Sequence, residues 1–157
     1  MAKMQIKGLD EYALKLSKLS SDQDEISKKA VYKGAGIVAD EIKKRLKENL
    51  QDPASVSKDK SVMFKGIGYD QTGSLLDSFG VAPIKVFADM NTSTKLGFDG
   101  YDKNGVPNQL KARAMESGTS RLRKRPFVRP AVNATKGKAK AKMGKVVDEE
   151  IKKIMGG

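Results

Sequence analysis

The feature that most constrains this fold is a regular four-residue spacing of apolar and small residues near the start of the chain. The series is Ile26, Ala30, Gly34, Val38, Ile42 and Leu46. Such a series lies on one face of a helix, and small residues at 34, 35, 36 and 39 would let another backbone approach closely. Asp22 and Glu25, three residues apart, are typical of a capping box. We therefore expect a long helix that begins at Asp22 and ends near Asn49–Leu50, before Pro53.

Two shorter apolar series predict a helix on either side of the long one. Leu9, Tyr12, Leu16 and Leu19 recur at spacings of three and four, and Ser20-Ser21-Asp22 would end their helix. The other series predicts a C-terminal helix, for which Pro130 is well placed as the first residue. Its members are Ala139, Met143, Val147, Ile151 and Ile154.

The middle of the chain has the pattern of short strands. Residues 75–81 and 84–88 predict a strand pair around Pro83, which suits a sheet edge or a bulge. Residues 92–98 predict a further strand, with alternate side chains on one face. Residues 108–117 form a short segment of unclear type.

These elements together predict one domain over residues 1–157. Residues 51–73 are rich in Ser, Asp, Lys and Gly, which indicates a flexible, extended loop or arm. Residues 118–130 form a basic, proline-containing loop. The expected fold is α+β, with an antiparallel sheet of three to four strands covered on one face by the long helix and the C-terminal helix.

Composition argues against catalysis. The chain has no Cys and no His, which removes thiol nucleophiles, zinc fingers and every triad with an imidazole base. The acid runs Asp40-Glu41 and Asp148-Glu149-Glu150 lie in amphipathic helical patterns, where acids ordinarily face solvent. We expect no enzyme activity, cofactor or metal. The first residues lack the apolar segment of a signal peptide and no run of eighteen apolar residues occurs, so we expect synthesis in the cytoplasm and no membrane span.

Basic charge is concentrated in one region. The whole chain has a net charge of +12. Residues 111–145, with twelve Lys and Arg and one acid (Glu116), have a net charge of +11. The densest part is Arg121-Leu122-Arg123-Lys124-Arg125. It could bind nucleic-acid phosphates, lie solvated in a loop, or meet an acidic protein surface. No aromatic residue is interleaved with these cations to stack on bases.

An aromatic residue between two prolines follows this run. Pro126 and Pro130 restrict the backbone around Phe127, and Arg125 and Arg129 flank it. Protein interfaces are enriched in such aromatic and arginine side chains. Phe127 could equally pack into the core of its own chain, and the two interpretations are compatible. The candidate interface residues are Arg121, Arg123, Lys124, Arg125, Phe127 and Arg129.

Three motifs together resemble the phage tail-completion family, the minor structural proteins of the head–tail neck. The most specific one is Glu116-Ser117-Gly118-Thr119, a basic spacer, and then Arg125-Pro126-Phe127-Val128-Arg129-Pro130-Ala131, which opens a C-terminal helix. One weaker motif is Thr72-Gly73-Ser74-Leu75-Leu76-Asp77-Ser78-Phe79, at the step into the first strand. The other is Gly8-Leu9-Asp10-Glu11 followed by spaced leucines, in the opening helix. The resemblance extends over residues 6–155 in the same order.

The resemblance implies a subunit of the virion that forms a closed ring, commonly of six copies and alternatively of twelve. Such a ring lies at the head-proximal end of the tail, joins the connector or head-closure protein to the tail-tube protein, and surrounds a channel for DNA. A ring needs two different patches on each subunit, and the arm at 51–70 and the loop at 118–130 are candidates. The alternative is a basic nucleic-acid-binding module.

Overall fold

The computed structural model describes residues 8–51, 74–89, 91–120 and 123–156, and the elements below belong to those ranges. The helices are α1 Leu9–Gln51, α2 Ser74–Asp77, α3 Asn108–Ser117 and α4 Val128–Gly156. The strands are β1 Phe79–Val81, β2 Lys85–Val86, β3 Thr92–Ser93 and β4 Leu96–Phe98. The fold is α+β, as predicted. Most of the predicted arm, 52–73, lies outside the described residues, and Gln51 ends α1.

Helix α1 is continuous over 43 residues, so the predicted break at Ser20-Ser21-Asp22 is wrong. The Ser21 hydroxyl donates to the Lys18 carbonyl oxygen at 2.8 Å, which satisfies the side chain inside the helix. Leu19 and Ile26, on either side of the predicted break, border one apolar groove with residues of α4. This shared packing outweighs the weak helix propensity of Ser and Asp.

Helices α1 and α4 form an antiparallel pair, because contacts that advance along α1 move backwards along α4. Lys15 Nζ donates to the Met155 carbonyl oxygen and Lys29 Nζ to Glu150 Oε2, both at 3.3 Å. Gly34 faces Met143, and a Cβ at Gly34 would lie 2.6 Å from Met143 Cγ. The small residues of α1 therefore admit a second helix, as the sequence predicts.

The strands build one interrupted hairpin of two two-stranded pairs, so the predicted sheet of three to four strands is wrong. Strand β1 pairs with β4 in the register Phe79 to Phe98, and β2 pairs with β3 in the register Lys85 to Ser93. Between the two pairs the first strand has one more residue than the second, which is the geometry of a bulge. Pro83 lies at this bulge, where its missing N–H breaks no ladder bond.

The start of the first predicted strand is instead the short helix α2. Within it Leu75 is buried in the core, and the Ser78 hydroxyl donates to the Leu75 carbonyl oxygen at 2.9 Å. The predicted pairing of 75–81 with 84–88 is also wrong, because each pairs across the hairpin with a later strand.

The core lies where α1, the hairpin, α3 and the start of α4 meet. Its buried members are Ala39, Ile42, Leu46, Leu75, Phe79, Phe98, Ala112, Met115, Phe127 and Ala131. The Phe98 ring lies 5.1 Å from that of Phe79 and 6.0 Å from that of Phe127, the latter edge-on. Three aromatic rings thus join the hairpin to the start of α4.

Residues 108–117, which the sequence left unassigned, form α3. The buried face of this helix includes Lys111, whose ammonium pairs with the buried Asp102 carboxylate at 2.5 Å. The Lys111 bond lowers the pKa of Asp102, and backbone bonds from Val106 and Asn104 act in the same direction. A lysine on the buried face obscures the apolar pattern, which explains why periodicity alone misses α3.

Candidate assembly interface

The start of α4 is held by a carboxylate from the end of α3. Glu116 accepts backbone N–H bonds from Phe127 at 2.7 Å, Val128 at 2.8 Å and Arg129 at 3.0 Å. These donors belong to the first turn of α4, where no helical carbonyl is available to them. Pro130 is the third residue of α4 rather than the first, and lies where the helix needs no N–H.

The environment of Glu116 favours its ionised form. Partial burial raises the pKa of this carboxyl, but the three backbone hydrogen bonds and the charge of Arg129 together outweigh that effect. The pKa of Glu116 therefore lies below its usual value. Because the carboxylate already fills the helix terminus, the N–H groups there are committed to an internal bond.

Arg125 is a half-buried internal tie between the loop and the end of α1. Its Nη1 donates to the Asn49 carbonyl oxygen at 3.4 Å, and Asn49 Nδ2 donates back to the Arg125 carbonyl oxygen at 3.1 Å. Its backbone N–H donates to the Met115 carbonyl oxygen at 2.7 Å. The side chain that the sequence placed at an interface thus has a structural role within the subunit.

Phe127 is fully buried, with 0% of its surface exposed. It packs in the core of its own chain, which was one of the two interpretations left open by the sequence. The described subunit therefore presents no aromatic plug at this position. Phe127 instead fixes the depth at which the start of α4 sits on the hairpin.

The exposed candidates form the outer surface of the same end of the molecule. Arg123, Lys124 and Arg129 are exposed, whereas Arg121 lies outside the described residues. A cleft of about 490 Å³ opens between the loop and α4, and its lining includes two prolines and the cations Lys124 and Arg129. It is lined by Glu116, Ser117, Lys124, Pro126, Arg129, Pro130 and Asn133.

The cationic surface continues along α4. Lys136 and Lys140 lie seven and eleven residues after Arg129 and share its face, whereas Lys138 and Lys142 lie on another. Residues 123–145 contain nine Lys and Arg and no acid. Within the described ranges no lysine or arginine from 129 to 145 forms an ion pair with an acid. This surface carries positive charge that the described acids leave largely unneutralised.

Two other kinds of site are absent from the described part of the chain. No group of three or more acids, His or Cys is arranged to hold a metal ion there. No helix among those residues is long and apolar enough to cross a membrane.

The sequence found the exposed cations but missed the two residues that position them, Glu116 and Asn49. Both act through backbone atoms far along the chain, eleven or more residues away from Glu116 and 76 residues away from Asn49. Such partners leave no local pattern. The sequence feature that could have pointed to Glu116 is its position two residues before Gly118 in the motif.

Comparison with protein families matches residues 10–118 to the family HK97-gp10-like, described as "Bacteriophage HK97-gp10, putative tail-component". The match covers more than two thirds of the chain. The chain belongs to this family. Comparison with curated proteins and with solved structures gives no significant match.

Membership of the HK97-gp10-like family makes this chain a phage structural protein of the tail-component class. The matched part runs from α1 to the end of α3 and includes Glu116. It ends at Gly118, so the family match contains neither the exposed cations of the loop nor α4. Those features are described by the structure of this chain and not by the family match.

Proposed function

We propose that this protein is a neck subunit that assembles into a closed ring at the head-proximal end of the phage tail. The ring joins the connector or head-closure protein to the tail-tube protein and completes the tail. Family membership as a phage tail component is the observation that carries the proposal. The protein acts by assembly and not by catalysis, which agrees with a chain that has neither Cys nor His.

The shape of the subunit supports assembly through its ends. Helix α1 has 43 residues and is about 65 Å long at 1.5 Å per residue. One end of the α1–α4 pair carries the cleft and exposed cations, and the other carries exposed apolar side chains. A ring requires two different patches on each copy, and the two ends satisfy that requirement.

Within this proposal the six candidate interface residues divide into two groups. Arg123, Lys124 and Arg129 contact the neighbouring protein, and Arg121 belongs to the same basic run. Arg125 and Phe127 support that contact by fixing the loop and the start of α4. The ring has six or twelve copies.

The second candidate function is nucleic-acid binding, favoured by the row of Arg129, Lys136 and Lys140 on one exposed face of α4. Phosphate contacts need only such point charges and weaken steeply as salt rises. In a ring the same row could line the channel and face DNA. Binding of duplex DNA by isolated subunits at low salt, without rings, would favour the second candidate.

The test is to combine Arg123→Glu with Arg129→Glu and to follow assembly. Negative-stain microscopy and native mass spectrometry of the wild type should show closed rings, alone or on purified tails, and the variant should not form them. A phage that lacks the gene and receives the variant should accumulate unjoined heads and tails.

The matched control combines Lys95→Glu with Lys103→Glu, which reverses two exposed charges in the hairpin region. It should assemble as the wild type does. If the interface variant formed rings and infectious particles as well as the control, the proposed role of the basic end would be wrong.

A further inference from the structure

The first turns of α1 present apolar side chains that the described residues leave exposed. Every residue from 9 to 14 is exposed, and Lys15 already reaches Met155 near the end of α4. Leu9, Tyr12 and Leu16 are 58%, 52% and 44% exposed and lie on one helical face. We name residues 9–14 the overhang. A contiguous apolar face of this kind marks a contact surface.

The overhang is also acidic. Asp10 and Glu11 lie in the first turn, where Glu11 pairs with Lys15 at 3.2 Å, and residues 8–25 as a whole contain five acids and two lysines. At the opposite end of the helical pair the cleft presents Pro126 and Pro130 with Lys124 and Arg129 beside them. One end thus offers apolar side chains with negative charge, and the other offers an apolar wall with positive charge.

These two surfaces cannot meet within one subunit. The cleft lies at the start of α4, which Asn49 ties to the end of α1, whereas the overhang lies beyond the other end of α4. Residues 133 and 155 of α4 are about 33 Å apart at 1.5 Å per residue. A contact between the surfaces therefore requires two copies.

We infer that the overhang of one copy docks in the α4 cleft of the next copy. This inference rests on the proposed ring and names its contact. The complementary charges orient the partners, and Leu9 and Tyr12 provide the apolar contact against the prolines. A head-to-tail contact of this kind repeats around a ring until the last copy meets the first.

Charge also argues against the simplest alternative, in which two overhangs pair with each other. Such a contact would bring two sets of Asp10 and Glu11 into one interface, where like charges repel. The cleft in contrast presents Lys124 and Arg129, and its single acid, Glu116, is bonded to three backbone N–H groups.

Disulfide trapping tests the contact directly, because the chain has no Cys and each introduced thiol is unique. The variant that combines Tyr12→Cys with Asn133→Cys should, after mild oxidation, give a ladder of covalent oligomers on a non-reducing gel. A disulfide needs Cα atoms within about 7 Å, so no bond can close inside one subunit. The heaviest band of the ladder should report the number of copies in the ring.

Three controls define the result. Tyr12→Cys alone and Asn133→Cys alone should stay monomeric on the gel, and Leu14→Cys with Asn133→Cys, which moves the thiol to another face of α1, should give no ladder. Dimers from Tyr12→Cys alone, or rings in the microscope without a ladder, would overturn the head-to-tail contact and leave the ring proposal intact. Failure of the wild type to form rings, alone or on tails, would overturn both.

Discussion

The two ends of the α1–α4 pair differ in how completely the subunit satisfies them. One end, here called the basic end, carries the cleft with Lys124 and Arg129, and the other, the acidic end, carries the overhang. At the basic end Glu116, Asn49 and Phe127 fix the loop and the start of α4 by hydrogen bonds and burial. At the acidic end the overhang of α1 has exposed leucines and Tyr12. The contacts of the subunit therefore hold the basic end in place, whereas the described residues leave the apolar face of the acidic end exposed. Each prediction below perturbs one end, or the contact between the helices that joins them.

The largest effect on stability is expected from Phe127→Ala at the basic end. Removal of this fully buried ring leaves a cavity beside Phe98 and should lower the free energy of unfolding by about 3–5 kcal/mol. Urea unfolding followed by circular dichroism measures the change. The control Phe87→Ala removes a ring that is 50% exposed and should cost far less. Equal losses in the two variants would show that Phe127 does not anchor the basic end.

Between the ends, Gly34→Ala should separate α1 from α4. Its Cβ would lie 2.6 Å from both Cγ and Sδ of Met143, so the helices or Met143 must shift. A Cβ at Gly36 would meet no heavy atom within 4 Å. Gly36→Ala should therefore stabilise the helix by about 1 kcal/mol through the higher helix propensity of Ala. We expect Gly34→Ala to be less stable than Gly36→Ala by about 1–3 kcal/mol.

The Gly34→Ala deficit should shrink when Met143→Ala is added, because the smaller side chain makes room for the new methyl group. A double-mutant cycle from thermal unfolding gives this coupling. Independent effects of the two changes would mean that the helices do not approach each other at Gly34.

A smaller and pH-dependent effect is expected from Glu116→Gln. The amide cannot serve three N–H donors as a carboxylate does, and the loss should be about 1–2 kcal/mol at neutral pH. The folded pKa of Glu116 lies below the unfolded value of about 4.3. The stabilisation is therefore complete above that pH and is lost as pH falls through the folded pKa.

The difference in the free energy of unfolding between wild type and Glu116→Gln should consequently become smaller in acid, as measured by urea unfolding at several pH values. Glu149→Gln, a change at an exposed position of α4, serves as the control and should show little difference at any pH. A difference that stays constant down to low pH would assign the effect of Glu116 to shape instead of charge.

The smallest effect on stability is expected at the acidic end. Tyr12→Ser and Leu14→Ser both replace exposed side chains and should each change the unfolding free energy by about 0.5 kcal/mol or less. Only Tyr12→Ser, on the apolar face with Leu9 and Leu16, should weaken assembly in sedimentation velocity. Equal assembly of the two variants would remove the overhang from the interface.

How far the sequence predicts the structure also differs between regions. The four-residue series from Ile26 to Leu46 gives the long helix and its close approach to α4, because one periodic face dominates that segment. The break at Ser20-Ser21-Asp22 is wrong because the Ser21 hydroxyl finds a carbonyl inside the helix. Local breaker signals are weaker than packing against a second helix.

The site shows the same division. The exposed cations are visible in the sequence as a charge run, and their positions at the start of α4 follow from the motif. That Arg125 turns inward to Asn49, and that Glu116 caps α4, depends on tertiary contacts that no local pattern encodes. The acid in the resemblance to tail-completion proteins acquires a physical role here, as the cap of the C-terminal helix.

The central claim is that assembly joins the acidic end of one copy to the basic end of the next, and a charge exchange tests it most directly. Asp10→Lys with Glu11→Lys reverses one end, and Lys124→Glu with Arg129→Glu reverses the other. The mass of each variant and of the four-fold combination is measured by sedimentation equilibrium at low salt. We predict that either pair alone gives monomers and that the combination restores the wild-type ring. Monomers from the combination, or rings from either pair alone, would contradict the claim.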